Sequence, residues 1–331
     1  MVCSVELLSG ENADQWEDFN NRTGGGTLFH GLRWKQVLEE VFHPKLRYYL
    51  IFNDREVVGI SPWVERSALN FHGLVSILHS EMNGILLDDT FDTDRFDEIL
   101  ELFARKYSFL HFNTYTPALL DGSRFTHAPG EDTGHMVIDL RSRSPDDIWA
   151  GLSKNMRLAI RTFERDGFET SVVTRPEDLD DFYRYYVRNL THIQGEILPF
   201  AFFERLLEHF PDEIRITVLK RDDLFAGGSL ALLDPTRGIF YGNYLAINRD
   251  LPNRYTPSYY IMWESLNWAW KNGYKRLSSG RQRLEPENPR FRYKTKFGAE
   301  HLPIHSELVL LSKPMQVSYR VKEMLLKNRG A

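Results

Sequence analysis

Twice along this chain the hydrophobic pattern passes through the same series: a hairpin, a strand, a helix and a further strand. In the first pass Arg47–Phe52 and Glu56–Val64 read as strands about a turn at Asn53-Asp54, followed by an extended Gly73–Leu78. A helix over Thr93–Lys106 keeps Phe96, Ile99, Leu100 and Phe103 on one face, and Phe109–Thr114 reads as the strand beyond it. In the second pass Ile214–Leu219 and Phe225–Leu233 flank Arg221-Asp222-Asp223, and Gly238–Ile247 follows as a strand. Thr256-Pro257 then opens a helix that stops before Gly273, with Arg276–Ser279 as the last strand. Residue-by-residue similarity between the passes is slight, so the repeat is one of element order. It predicts a duplicated α/β unit with mixed sheets, cut into domains over 1–140 and 141–331.

Four more helices surround these passes. Gly31–Phe42 carries an apolar stripe of Leu32, Val37, Leu38 and Val41. Ser144-Pro145-Asp146-Asp147 is a strong helix start, and Gly167 a natural stop, so one helix is expected over Pro145–Asp166. Pro176–Leu190 and Phe200–His209 follow.

At 331 residues the chain has room for two ordinary domains. It has no apolar run of about 18 residues that would span a bilayer, and Met1–Asn12 lacks the basic and apolar regions of a secretory signal. A single cysteine, Cys3, forms no internal disulfide, so the expected location is the cytoplasm. His301 and His305 are separated by Pro303, which argues against a helical metal pair, and neither a G-x-S-x-G elbow nor a P-loop is present. No metal is expected.

Charge is distributed unevenly. Between Lys271 and Lys296 nine Lys and Arg stand against two Glu, inside a chain of net charge −5. A cation cluster in an acidic protein attracts anions, although a solvated basic rim would look the same in sequence. Within it, Arg290–Glu300 reads R-F-R-Y-K-T-K-F-G-A-E. Strand-like alternation there would put Tyr293 and Phe297 on one face, with Lys294 and Lys296 on the other. A second basic stripe, Lys154, Arg157, Arg161 and Arg165, lies opposite Trp149, Leu152, Met156, Ile160 and Phe163 on the Pro145–Asp166 helix. It is either a solvent face or a cationic wall for phosphate.

Tyrosines crowd the strand before the late helix (Tyr241, Gly242, Asn243, Tyr244) and the start of that helix (Tyr255, Tyr259, Tyr260). A helix N-terminus suits an anion or a developing oxyanion, and a tyrosine beside it is able to pass a proton to a leaving group. Most of these rings are equally well explained as packing. The loop entering the helix, Asn248 to Pro257, has two prolines and no glycine, so it offers few N–H groups to a pyrophosphate. Ordinary coenzyme A binding is disfavoured.

The chain resembles the FemAB-like branch of the GNAT N-acyltransferase superfamily over nearly its whole length. The resembling residues are Thr27 to Trp34, Val58 to Pro62, Lys154 to Arg157 through Gly167, Ile239 to Tyr244, Trp268 to Tyr274, Gly280-Arg281, and Tyr293-Lys294-Thr295-Lys296-Phe297-Gly298. The last matches the family's aromatic-Lys-x-x-Phe-Gly signature, with Tyr in place of Phe. The resemblance implies two tandem GNAT-like domains and transfer of an amino acid from aminoacyl-tRNA to an amine of a peptidoglycan precursor. It also implies that Lys294 lies beside the donor and stabilises the reacting ester, and that Arg33 or Lys35 is nearest to the precursor's diphosphate. No long helical arm is evident, and Gln194 stands where relatives commonly carry arginine before glycine.

The expected function is therefore an N-acyl or aminoacyltransferase acting on an amine of a cell-envelope precursor or a related phosphorylated acceptor. Charged tRNA would be its partner and acyl donor, with no permanently bound cofactor. Lys294, Tyr241 and Tyr255 are the candidate catalytic residues. Arg33, Lys35, Lys154, Arg157, Arg161, Asn243, Tyr259, Arg281, Tyr293 and Lys296 are the candidate substrate contacts. Two alternatives stand beside this: an acyl-CoA-dependent enzyme of the same fold, and a non-catalytic binder of nucleic acid or another anionic polymer.

Overall fold

The computed structural model describes residues 3–68, 71–81, 83–115, 119–131 and 133–329. They fall into two compact units, one of residues 1–133 with 303–331 and the other of 134–302.

The first unit begins with β1 (Cys3–Leu7), α1 (Ala13–Arg22), α2 (Leu32–Phe42), β2 (Leu46–Asn53), β3 (Glu56–Ala68) and β4 (Phe71–Ser76). It continues through β5 (Leu86–Leu87), α3 (Phe96–Ala104), β6 (Phe109–Thr114) and β7 (Thr126–Pro129). Strands β1 to β4 pair antiparallel in sequence order. Strand β4 then pairs parallel with β6, and α3 makes the crossover that a parallel connection requires. The apolar face of α3, Phe96, Ile99, Leu100 and Phe103, is buried against Ile51, Trp63, Leu74 and Phe112 of the sheet.

The second unit runs β8 (Thr133–Asp139), α4 (Pro145–Gly151), α5 (Lys154–Arg165), β9 (Glu169–Val173), α6 (Asp180–His192), α7 (Phe200–His209) and β10 (Ile214–Arg221). There follow β11 (Leu224–Asp234), β12 (Ile239–Ile247), α8 (Pro257–Lys271), β13 (Arg276–Arg283) and α9 (Pro289–Lys296). Strands β9 to β12 form an antiparallel series, and β12 pairs parallel with β13 across the α8 crossover. The core under α8 gathers Met156 and Ile160 of α5, Ala231 and Leu233 of β11, Phe240 of β12, and Phe297. The chain ends with β14 (Glu300–Leu310) and α10 (Lys313–Arg329), and β14 pairs antiparallel with β6 of the first unit.

Each unit thus carries an antiparallel series, a helical crossover and a parallel strand, the duplicated order the hydrophobic pattern predicts. The domain cut differs from the expected one, because residues 303–331 return to the first unit instead of closing the second. The helix expected over Pro145–Asp166 is two helices. Ser144 and Asp147 form a reciprocal capping box on α4, and Leu152 leaves helical geometry with ψ 141°. Ser153 then starts α5 afresh by accepting from the Met156 N–H. Among the described residues, no helix is long and apolar enough to cross a membrane.

Candidate active site

In the second unit the parallel strands β12 and β13 pair over three positions only, Ile239 to Tyr241 against Arg276 to Ser278. Beyond these residues the strands part. The cause lies on the other side of β12, where the register with β11 slips between Leu230 and Ala231, leaving Asn243 as an extra residue between Gly242 and Tyr244. Such a bulge bends its strand and increases the local twist. The Oδ1 of Asn243 is buried without a hydrogen-bond partner.

The C-terminal turn of α6 is tied to both sides of the widening gap. Asn189 donates from Nδ2 to the Leu245 carbonyl on β12 at 3.1 Å, and its Oδ1 accepts from Nε and Nη2 of Arg249 at 3.1 and 2.8 Å. From the β13 side, Arg290 at the start of α9 donates to the Ile193 carbonyl at 3.0 Å. Asn248 fixes the chain leaving β12, donating to the Phe225 carbonyl and accepting from the Asp250 N–H. Burial and the nearby Arg290 both push the Arg249 guanidinium below its usual pKa.

The segment Arg290–Lys296 is helical, where strand-like alternation was expected. Pro289 at the first helical position and the Asn288 side chain, which accepts from the Arg290 N–H, start α9. Helical spacing keeps Tyr293 and Phe297 together, four residues apart. The Tyr293 ring stacks on Tyr259 of α8, with centroids 5.9 Å apart and planes at 7°. Its hydroxyl donates to the Ser258 carbonyl at 2.8 Å, and burial pushes its pKa up. These contacts seat α9 on the first turn of α8. Lys294, half-buried, lies one turn on from Arg290 along the same helix.

The first unit has the corresponding parallel pair, but its own chain closes on it. Strands β4 and β6 also pair over three positions, Gly73 to Val75 against Phe109 to His111. There the Asn113 N–H bonds the Ser76 hydroxyl at 3.0 Å, and Gly84 at φ +135° packs so tightly that a Cβ would come within 2.0 Å of the Asn113 carbonyl. His30 holds this segment through the Gly84 carbonyl at 3.2 Å. The diverging strands of the second unit are therefore the better candidate site.

The family described as acetyltransferase (GNAT) domain matches residues 150–295, all of them inside the second unit. The second unit has the GNAT fold. Its relatives in structure span both units. FemX aligns with TM-score 0.67 and 10% identity over 92% of this chain and 96% of its own. A tandem GNAT protein from the clavulanic acid biosynthesis pathway gives TM-score 0.56 and 10% identity over 93% and 98%. L-PGS from Bacillus licheniformis gives 0.57 and 13% over 95% and 97%. At these identities the likeness establishes the fold, a tandem GNAT arrangement consistent with the FemAB-like branch. No curated protein matches the chain in sequence.

Within the GNAT domain several expected site residues are committed elsewhere. Arg157 donates to the carbonyls of Trp149, Ala150 and Leu152 at 3.2, 3.2 and 2.5 Å, so it closes the C-terminus of α4 instead of facing a phosphate. Arg161 lies 5.2 Å over the Trp149 ring, while Lys154 is exposed at the first position of α5. Tyr255 is buried, and its hydroxyl donates to Asp166 Oδ2 at 2.7 Å while accepting from Arg254 at 2.8 Å. It anchors the loop before α8 to the end of α5 and is not placed to relay a proton. Tyr241, fully buried on β12, is enclosed in the core. Arg281 on β13 and Lys296 on α9 are exposed.

Arg33 and Lys35 belong to α2 of the first unit, where Arg33 is exposed and Lys35 bonds Glu39 at 2.8 Å. Arg249, Arg290 and Asn189 were not foreseen as site residues. Arg290 had a signal, its place in the basic run. For Arg249 and Asn189 the sequence holds none, because the α6 end and the β12 end meet only in the fold.

Proposed function

We propose that this chain is an N-acyltransferase that joins an activated acyl group to an amine between the diverging ends of β12 and β13. The observation that carries the reading is the parting of these strands after Tyr241 and Ser278, within residues matched by the GNAT family. A parallel pair that opens at its C-terminal ends leaves a crevice able to admit an extended donor.

The amine lone pair attacks the carbonyl carbon, forming the new C–N bond. The bond to the leaving oxygen breaks, and the proton lost from nitrogen ends on that oxygen, relayed by the substrate itself. Negative charge gathers on the carbonyl oxygen during attack, and a cation at that point lowers the barrier. Lys294 supplies it in this proposal, held on a helix that Tyr293, Tyr259 and Phe297 fix in place. Asn243 Oδ1, buried and unpartnered, accepts an N–H from the substrate.

For the donor we favour the aminoacyl ester of a charged tRNA, which would set the reaction in the cytoplasm. The loop from Asn248 to α8 supports this choice. Pro252 and Pro257 remove N–H groups, and the Tyr255–Asp166 bond ties the loop down, so little free backbone remains for a pyrophosphate. The exposed Lys154 and Arg161 of α5 offer charge to a polyanion. The acceptor is then an amine of a phosphorylated precursor such as one of the cell envelope. An acyl-CoA donor is the second reading, favoured by the acetyltransferase family match.

Incubation of the protein with charged tRNA or acetyl-CoA and a panel of amines, read by mass spectrometry, tests both. Transfer of an aminoacyl group from tRNA is expected. Turnover of acetyl-CoA alone would overturn the donor assignment, and transfer from neither would overturn the enzyme reading.

A further inference from the structure

Two guanidinium groups converge at the mouth of the β12/β13 gap without a carboxylate between them. Arg249 reaches it from the end of β12 and Arg290 from the segment after β13, and each bonds the α6 end through a neutral oxygen. Those oxygens belong to the side chain of Asn189 in the last turn of α6 and to the backbone of Ile193, the residue that caps it. Neutral oxygens orient a guanidinium without cancelling its charge. The carboxylates next to the two arginines in sequence have partners of their own, and Glu285 accepts from the Asn288 side chain at 3.0 Å. Asp250, next to Arg249, pairs with Arg188 at 2.5 Å, and Glu287, next to the α9 cap, pairs with Arg292.

Like charges held together by the fold are costly unless a counter-charge joins them. A guanidinium has five N–H donors, of which Arg249 spends two and Arg290 one on the protein. The remaining donors suit a compact, oxygen-rich anion gripped from both sides. Lys294 lies four residues beyond Arg290, about 6 Å along α9.

We infer that Arg249 and Arg290 form an anion clamp, and that the acceptor of the acyl transfer proposed above is an amine carrying a carboxylate or phosphate a few bonds from its nitrogen. The clamp holds that anionic group at the mouth while the amine reaches the carbonyl beside Lys294. This rests on the acyltransferase reading for the word acceptor; the anion site itself does not.

The test separates the two. Wild-type protein is titrated with O-phosphoethanolamine, with β-alanine and with ethanolamine, following the Nε–H resonances of Arg249 and Arg290 by NMR. At least one of the two anionic amines should shift both resonances, and which one does so distinguishes phosphate from carboxylate. Arg249→Gln and Arg290→Gln should each weaken that binding at least tenfold, whereas Arg292→Gln, whose partner is Glu287, should leave it unchanged. The clamp is overturned if neither anionic amine binds more tightly than ethanolamine, or if both glutamine variants bind within twofold of wild type. Should a variant fail to fold, the wild-type resonance shifts decide alone. Binding without any acyl transfer would uphold the clamp and contradict the enzyme reading instead.

Discussion

Arg157 and Tyr255 show how a residue that looks functional in sequence is spent on structure. Arg157 falls in a basic stripe at helical spacing, yet the break after α4 turns its guanidinium onto the exposed carbonyls of that helix. Charge-assisted bonds of this kind are worth about 1.5–3 kcal/mol when buried and less when half-exposed, so Arg157→Ala should lower stability by roughly 1–2 kcal/mol in urea denaturation. Tyr255 binds Asp166, whose carboxyl is held below its ordinary value of 3.8 first by Arg165 and then by the Tyr255 hydroxyl. Tyr255→Phe should therefore raise the Asp166 pKa toward 3.8 in a carboxyl NMR titration, with Arg165 keeping part of the depression. Because the folded pKa is the depressed one, the Asp166 contribution is present above its ordinary value and fades as pH falls through the folded value.

At the scale of elements, the helices were legible where apolar residues recur with helical spacing and a cap residue precedes them. The strands of the two passes followed from alternation and turns, whereas β1, β8, β9 and β14 were not read as strands. Two local features defeated that reading. The stop at Leu152–Ser153 is invisible to periodicity, because α4 and α5 continue one apolar stripe across it. The residues of α9 alternate in polarity like a strand, but Asn288 and Pro289 start a helix, and stacking of Tyr293 on Tyr259 holds it. Lys294 is proposed from a local signature, whereas the Asn189 contact that joins α6 to Leu245 and Arg249 depends on tertiary meeting. Asn189→Leu removes a donor from a part-buried carbonyl and an acceptor from Arg249. It should cost about 1–3 kcal/mol and raise hydrogen exchange at the end of β12. In the first unit, Gly84→Ala meets both a positive φ and the Asn113 carbonyl, and should destabilise by more than about 1 kcal/mol in the same assay.

Across the whole molecule, the duplicated order of elements was written in the sequence, while the return of residues 303–331 to the first unit was not. Strand β14 finds its partner β6 far back along the chain, a pairing no local pattern encodes. Acid stability depends on paired carboxylates such as Glu65. Burial pushes that carboxyl up, but bonds from Lys45 and Arg47 outweigh it and leave the pKa below the ordinary 4.5. Its stabilisation is present above that value and is lost as pH falls through the folded pKa, so Glu65→Gln should flatten the acid limb of the stability profile.

The two units share an order of elements but differ at their parallel strands, closed by Gly84 in the first and parted beyond Tyr241 in the second. Acyl transfer at the second is the central claim, and Lys294 is its most exposed point. Single-turnover transfer should be measured for Lys294→Ala beside wild type, with circular dichroism to confirm that the variant is folded. A loss of about 100- to 1000-fold is expected, the usual cost of removing one group that stabilises a developing oxyanion. A folded Lys294→Ala protein that turns over within about threefold of wild type would contradict it.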